Sequence, residues 1–321
     1  MNASKRTGGR VRRPETIGLP RALLYHRYGV LWESFLRQIG HEVVVSPESS
    51  TPLLEEGCAH APDEACLPVK LHLGHVAWLL PRCDAVLLPR IVSLGKREEN
   101  CAKFLGAYDI AANVFPAASL LTYTVDVRNG CGERAGLRAL GEALGASPLR
   151  AALACERARG RQRAHERAEA RAELERLRAR DGRPGVLVVA HGYNLADEHV
   201  GAPVARMLAA EGLRVVSAEA LGIGRRGGRP RLARDVYWTY SRELLGSVER
   251  ALRAIDGILF LVSFPCGPDS LVTELCRLRI RDVPLTSIVL DEHAADAGLR
   301  TRIECFADVV RTHAALKAAP A

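Results

Sequence analysis

No Cys-x-x-Cys pair occurs anywhere in the 321 residues, which removes the zinc ribbons and the thioredoxin-type redox pair. No Gly-x-x-x-x-Gly-Lys-Ser/Thr loop is present and no Gly-x-Gly-x-x-Gly follows a strand, so no ATP or NAD phosphate cradle is expected. No stretch approaches the ~18 uninterrupted apolar residues of a membrane helix, and no membrane partner is expected. Aromatic residues make up only 5% of the chain, too few for the stacking platform that nucleic-acid surfaces use. Residues 1–13 carry five basic residues with no apolar run behind them. They read as a disordered basic tail rather than a secretory signal, which makes a cytoplasmic location the expectation.

The net charge of +8 is unevenly spread. The tail holds five of those positive charges, and Arg150–Arg183 sets eleven arginines against six acidic residues. What remains is slightly acidic, so no nucleic-acid partner is expected either. Hydrophobic content of 48% and charged content of 26% are ordinary for a globular chain. The length suits about two domains of ~150 residues.

The pattern of elements divides the chain further. Thr16–Leu19 is a short apolar run ending in Pro20. Leu23, Leu24, Tyr28, Leu31, Trp32, Phe35, Leu36 and Ile39 then follow helical spacing, closed by Gly40. Glu42–Val45 reads as a strand, making a βαβ unit and hence a parallel sheet. Val69–Leu80 is expected helical, Ala85–Leu88 a buried strand, and Asn113–Phe115 and Leu120–Val125 further strands. From 131 to 181 Ala, Arg, Glu and Leu dominate, as in a long helical linker. Arg159, Arg163, Arg167 and Arg171 recur every four residues on one face, which is either a solvated surface or a docking face for an acidic partner. A second alternation follows: strands at Gly185–Ala190, Arg214–Ser217, Gly257–Phe264 and Leu285–Leu290. Helices are expected around Val204–Ala210, Thr239–Ala254, Ser270–Leu278 and Arg300–Leu316. The expected architecture is α/β, with two flavodoxin-like (Rossmann-like) lobes of parallel sheet joined by an Arg-rich helical segment. The boundaries are a tail at 1–14, a first lobe at 15–130, a linker at 131–183 and a second lobe at 184–321. The basic, glycine-rich run Gly224–Arg231 reads as a surface loop or a phosphate contact.

Nine cysteines are scattered through the chain, and thiols in such a chain are expected to stay reduced. Cys83, Cys131, Cys155, Cys276 and Cys305 sit in helix-like contexts and fit the role of small buried hydrophobes. Cys66, Cys101 and Cys266 differ, because each lies where a loop meets a helix, with Pro68 after the first and Pro265, Gly267 and Pro268 around the last. Three converging thiolates could hold an iron–sulfur cluster and leave one iron open. Ligands so dispersed have no local signature, and inert buried cysteines remain the other reading. His191, just past an apolar strand, suits either a ligand contact or a hydrogen-bonded loop.

Five runs carry a resemblance: Ile17–Tyr25 (IGLPRALLY), Asp63–Lys70 (DEACLPVK), Leu88-Pro89-Arg90, Cys266–Ser270 (CGPDS) and Leu290–Gly298 (LDEHAADAG). Together, in this order from about Thr16 to Asp308, they resemble the acyl-CoA dehydratase activase-related family. That family is similar to the catalytic subunits of 2-hydroxyacyl-CoA dehydratases and to double-cubane cluster reductases. The resemblance implies a cluster in the cleft between two lobes, [4Fe–4S] or the larger double-cubane form, ligated by Cys66, Cys101 and Cys266. It implies low-potential one-electron reduction or dehydration of an acyl-CoA or other small molecule, with the electron supplied by a separate ATP-dependent activator. A dimer is an open alternative for the assembly. Asp291, Glu292 and His293, after the last strand, become candidate acid/base groups or orienters of a ligand; the other reading is a helix N-terminal carboxylate with His293 capping a loop. Lys70 and Arg90, after motif turns of the first lobe, could bind an anionic substrate such as a CoA phosphate or fix carboxylates nearby. Ala102 stands where the family has proline after its middle cysteine, and Ala294 and Ala295 replace its Thr-Gly. Two further readings remain: a non-catalytic cluster-binding scaffold that docks to a partner, and a cluster-free sugar- or nucleotide-binding protein.

Overall fold

The computed structural model describes residues 14–223, 231–232, 236–293 and 296–318. The basic tail at 1–13, most of the glycine-rich loop (224–230) and Ala294-Ala295 lie outside the described residues.

The first lobe runs β1 (Thr16–Leu19), α1 (Tyr25–Ile39), β2 (Glu42–Val45), α2 (Thr51–His60), α3 (Leu67–Leu79), β3 (Ala85–Leu87) and β4 (Arg90–Ser93). It continues with α4 (Ala102–Leu105), α5 (Ala107–Val114), β5 (Leu120–Leu121) and β6 (Thr124–Asp126). Two helices follow, α6 (Glu133–Ala143) and α7 (Pro148–Arg178). The second lobe is β7 (Gly185–Val189), α8 (Gly192–Leu195), α9 (Ala202–Ala210), β8 (Arg214–Ser217), α10 (Ala218–Gly222) and α11 (Thr239–Ala251). It ends with β9 (Gly257–Ser263), α12 (Gly267–Arg279), β10 (Leu285–Leu290) and α13 (Asp296–Ala318).

Both lobes have the expected flavodoxin-like construction. The first sheet is ordered β2-β1-β3-β5 and the second β8-β7-β9-β10, with every pair parallel. Each reverses direction of travel beside its first strand, which opens a crevice at the carboxyl ends of β1 and β3 and of β7 and β9. The strands β7 and β9 are buried along their whole length, as the uninterrupted apolar runs require. The Leu88-Pro89 break splits the expected strand at 85–88 from β4, and β4 pairs with β6 in a small parallel ladder.

Two expectations change. Asn113–Phe115 is not a strand: α5 runs to Val114, because Ala107 and Ala111, one helical turn apart, seat it in the core. The 131–181 region, expected as one long helical linker, is two helices. One stripe of α7 buries Ala151, Ala154, Cys155 and Ala158 against α1 and α6. Of the arginine face, Arg163, Arg167 and Arg171 are exposed, while Arg159 pairs with Glu133 at 2.8 Å.

Polar groups join the lobes. Arg27 of α1 is buried and reaches Glu243 of α11 at 2.7 Å and Glu219 of α10 at 3.4 Å. Tyr28 and Tyr240 touch through their hydroxyls at 3.1 Å. The backbone of Glu99 bridges Tyr237 and Thr239, and Leu67 N–H donates to the Phe264 carbonyl at 3.2 Å. Ser49 donates to Asp197 and touches His75 Nε2 at 3.0 Å.

The helix that carries Cys66 at its start is seated by glycine. A Cβ on Gly74 of α3 would lie 1.9 Å from the Leu53 carbonyl oxygen, and one on Gly57 of α2 would lie 1.9 Å from that of Lys70. Both obstacles are backbone, so a side chain there forces the helices apart. Gly74→Ala is expected to lower unfolding free energy by about 1–3 kcal/mol, read from the urea midpoint.

Burial holds His72 near pKa 4; burial first, then neighbouring positive groups, hold His75 near 3. Unfolded histidines titrate near 6.5, so the unfolded chain takes up these protons first as the pH falls. Stability is therefore complete above about pH 6.5 and is lost as the pH falls from there to about 4 for His72 and about 3 for His75, by up to about 1.4 kcal/mol per histidine per pH unit. Urea midpoints at pH 7.5, 6 and 5 should fall, and His72→Leu, whose ring nitrogens have no partner, should reduce the slope. A slope unchanged by that variant would contradict the assignment.

Candidate metal centre

Each of the three cysteines takes up the residue position just before a helix. Cys66 precedes α3, Cys101 precedes α4 and Cys266 precedes α12, none with its side chain capping the helix it starts. Pro68 and Pro268 enter the first turns of α3 and α12, where proline's fixed φ suits a helix start. Ala102 begins α4 equally well, since a first-turn position needs only helical φ. Cys266 lies past the carboxyl end of β9, and His191 past that of β7, on the two sides of the second lobe's crevice.

The structure brings Cys66, Cys101, Cys266 and His191 to one cavity between the lobes. With its mouth included, the cavity holds about 530 Å³ of free space, but water centres can occupy only about 40 Å³ of it. That is room for a few waters and too little to enclose an acyl-CoA. Phe104, Tyr193, Trp238 and Tyr240 supply apolar walls. Leu23, also in the wall, has φ +48°, in the left-handed region that a leucine rarely adopts; such strain collects at functional sites.

This environment opposes thiolates. Burial raises the Cys66 thiol, and Cys101 beside it adds to the rise. Burial and the Asp269 carboxylate raise Cys101. Burial, Asp269 and Cys66 push Cys266 furthest up. The thiols thus sit close enough to act on one another electrostatically, and a cationic centre among them would reverse the shifts by binding thiolate.

Asp269, on the first turn of α12, is buried and its Oδ1 accepts from His191 Nε2 at 2.9 Å. Burial works against a charged His191, but Asp269 outweighs it and raises the imidazole. His191 also stacks on Tyr193 at 5.0 Å between ring centres. Three buried polar atoms on residues of the cavity wall have no hydrogen-bond partner: Asp269 Oδ2, Asn194 Nδ2 and Asn100 Oδ1. Buried polar groups are nearly always satisfied, so such a cluster marks a place for a bound group.

Among the described residues no three His, Cys, Asp or Glu side chains are grouped so as to hold a single metal ion. An iron–sulfur cluster asks for something different, because each thiolate binds its own iron at a separate corner. Three thiols from three helix starts, facing one cavity with unsatisfied polar atoms around it, fit such a group.

The other candidates lie elsewhere. Glu292 pairs with Lys70 of α3, and this partner lowers its carboxyl and raises the lysine against burial. His293 is exposed, its backbone N–H on the Asp291 carboxylate at 2.9 Å. Neither Glu292 nor His293 lines the cysteine cavity. Arg90 pairs with Asp109 at 2.7 Å, away from the cavity. Of the five cysteines expected in helices as buried hydrophobes, Cys155 and Cys276 are so placed. Cys83, in a bend, and Cys131, bridged antiparallel to Asp126, are half-buried and donate to the carbonyls of Leu79 and Thr124. Cys305 is exposed, since it falls off the Ile303–Phe306–Val310 stripe that seats α13. Sequence reading missed Asp269, Asn194 and Asn100; the Asp269 signal was its place three residues past Cys266, on the same helix start. The spacing Gly222-x-Gly224-x-x-Gly227 begins on the last residue of α10 rather than after a strand, and 224–230 lies outside the described residues.

Residues 16–221 match the model of the family described as "CoA enzyme activase uncharacterised domain (DUF2229)". No protein of curated function matches the chain. Among solved structures, the SBP FpvC from Pseudomonas aeruginosa in complex with Mn2+ aligns at 15% identity over 94% of this chain and 99% of that one, with a TM-score of 0.29. Glucosamine-6-phosphate deaminase from Thermotoga maritima aligns at 8% identity over 95% and 86%, with a TM-score of 0.23. Among the described residues no helix is long and apolar enough to cross a membrane.

The metal-free protein should show a definite order of thiol alkylation at pH 7.5. Exposed Cys305 should react first, and Cys266, with its raised pKa, orders of magnitude more slowly and faster as the pH rises. Mass-spectrometric mapping of early adducts checks this; rapid labelling of Cys266 would contradict the raised thiol.

Proposed function

The chain belongs to this CoA enzyme activase-related family, and from that premise we propose that it is an iron–sulfur protein handling electrons at low potential. The carrying observation is that Cys66 and Cys101 of one lobe and Cys266 of the other line the same cavity. Bound there, the cluster would accept and pass one electron at a time. The three cysteines would hold it. The N–H groups at the starts of α3 and α12 lie beside Cys66 and Cys266, where the positive end of a 13-residue helix favours an anionic cluster. Phe104, Tyr193, Trp238 and Tyr240 would exclude water.

With no Walker loop in the sequence, the energy for low-potential reduction would come from a separate ATP-dependent activator, in keeping with the family description. The acceptor would be an acyl-CoA or another small molecule, approaching at the mouth because the interior is too small to enclose it. A low-potential reductase needs only close approach, whereas a 2-hydroxyacyl-CoA dehydratase-like lyase needs an iron with an exchangeable position. Lys70, paired with Glu292 across the lobes, would hold the cleft closed rather than transfer protons. A non-catalytic scaffold that docks through Arg163, Arg167 and Arg171 is the alternative; those arginines are exposed and share a face. Their reversal to glutamate should then abolish partner binding.

Anaerobic iron and sulfide analysis with an absorption spectrum near 400 nm tests the central claim. Wild type should bind about four irons per chain, and Cys266→Ser should lose most of them. An iron-free wild type that resists reconstitution would overturn the proposal.

A further inference from the structure

Three thiols leave one corner of a four-iron cluster without a protein ligand, and the structure places a fourth donor beside them. Asp269 lines the same cavity as Cys66, Cys101 and Cys266. Asp269 stands three residues past Cys266 in the first turn of α12, so the carboxylate and that thiol share one helix start. Only 6% of the residue is exposed. One oxygen, Oδ1, is fixed by His191 Nε2 at 2.9 Å, while the other, Oδ2, is buried with no hydrogen-bond partner.

A buried carboxylate oxygen without a partner costs stability, and its other oxygen is held by an imidazole. A carboxylate that binds a metal through one oxygen and accepts a hydrogen bond on the other has this arrangement, since outer partners orient metal ligands. Seated on the first turn of α12, three residues after Cys266, Asp269 shares its helix start with a thiol ligand. Lys103 also lies on the cavity wall, a fixed positive charge beside the anionic donors.

We propose that Asp269 is the fourth ligand of the cluster, bound through Oδ2, with His191 as the residue that positions it. This rests on the iron–sulfur reading above. A cluster closed by four protein ligands has no exchangeable iron, so this chain would be an electron-transferring reductase component and not a Lewis-acid dehydratase. Ligand binding here replaces a terminal water or hydroxide by the carboxylate and changes no oxidation state.

The test uses whole protein reconstituted anaerobically, in two arms. In the first, wild type grown with [13C]aspartate is reduced and studied by pulsed ENDOR. A 13C hyperfine coupling at the cluster, absent in Asp269→Asn, is expected; a cluster with no such coupling overturns the proposal. In the second, Asp269→Asn should bind about four irons when reduced but fall to about three on mild oxidation, giving a three-iron EPR signal. Asp269→Cys should keep all four, and His191→Gln should shift the wild-type signal without loss of iron. Full retention of four irons and an unchanged spectrum in Asp269→Asn would sink the assignment while leaving the cluster intact. Wild type without iron would sink the cluster reading itself, and this one with it.

Discussion

The guanidinium of Arg27 is the point on which the arrangement of the two lobes turns. It leaves α1 of the first lobe, is buried, and meets two carboxylates of the second, Glu219 and Glu243. Burial alone would disfavour its charge, but Tyr28, Glu243, Tyr240 and Glu219 hold it firmly protonated. Its face also covers the Tyr240 ring at 4.7 Å. Breaking a buried pair of this kind costs about 3–5 kcal/mol, because the abandoned carboxylates stay buried. Such a junction is weak as a source of stability and strong as a means of allowing one orientation only. Any site built from both lobes depends on that orientation.

The cysteine cavity is such a site. Cys66 and Cys101 come with the first lobe, and Cys266, Asp269 and His191 with the second. Tyr240 belongs to both arguments: it stacks under Arg27, and its ring packs edge-on to Phe104 at 6.1 Å and His191 at 6.3 Å. The ion pair that sets the lobes thus shares a wall with the cavity. The Lys70–Glu292 pair closes the lobes from a second side, on the same helix that Cys66 begins. The glycine contact between α2 and α3 fixes where that helix lies. Ligands to a multi-iron group must be placed together to fractions of an ångström, and rigid helix starts serve this better than free loops.

Much of the fold was legible along the chain. The uninterrupted apolar runs at 185–190 and 257–264 marked buried parallel strands, and Gly40 marked the end of α1, because those patterns arise from local periodicity and backbone freedom. The runs that failed were short and ambiguous. Asn113–Phe115 has strand-like composition, yet Ala107 and Ala111 had already set a helical stripe reaching Val114. The exposed Cys305 was misjudged because a helix fixes spacing without saying which face meets the core.

The sequence by itself determined two parallel α/β lobes, the family, and three cysteines at helix starts. Those properties follow from residue type and near-neighbour spacing. Tertiary structure alone decided which of these residues meet. It took Glu292 and His293 away from the thiols, set His191 beside them, and brought in Asp269, Asn100 and Asn194, whose unsatisfied atoms no linear motif announces. The physical reason is that burial and pairing depend on elements far apart in the chain, across an interface that Arg27 holds in one register.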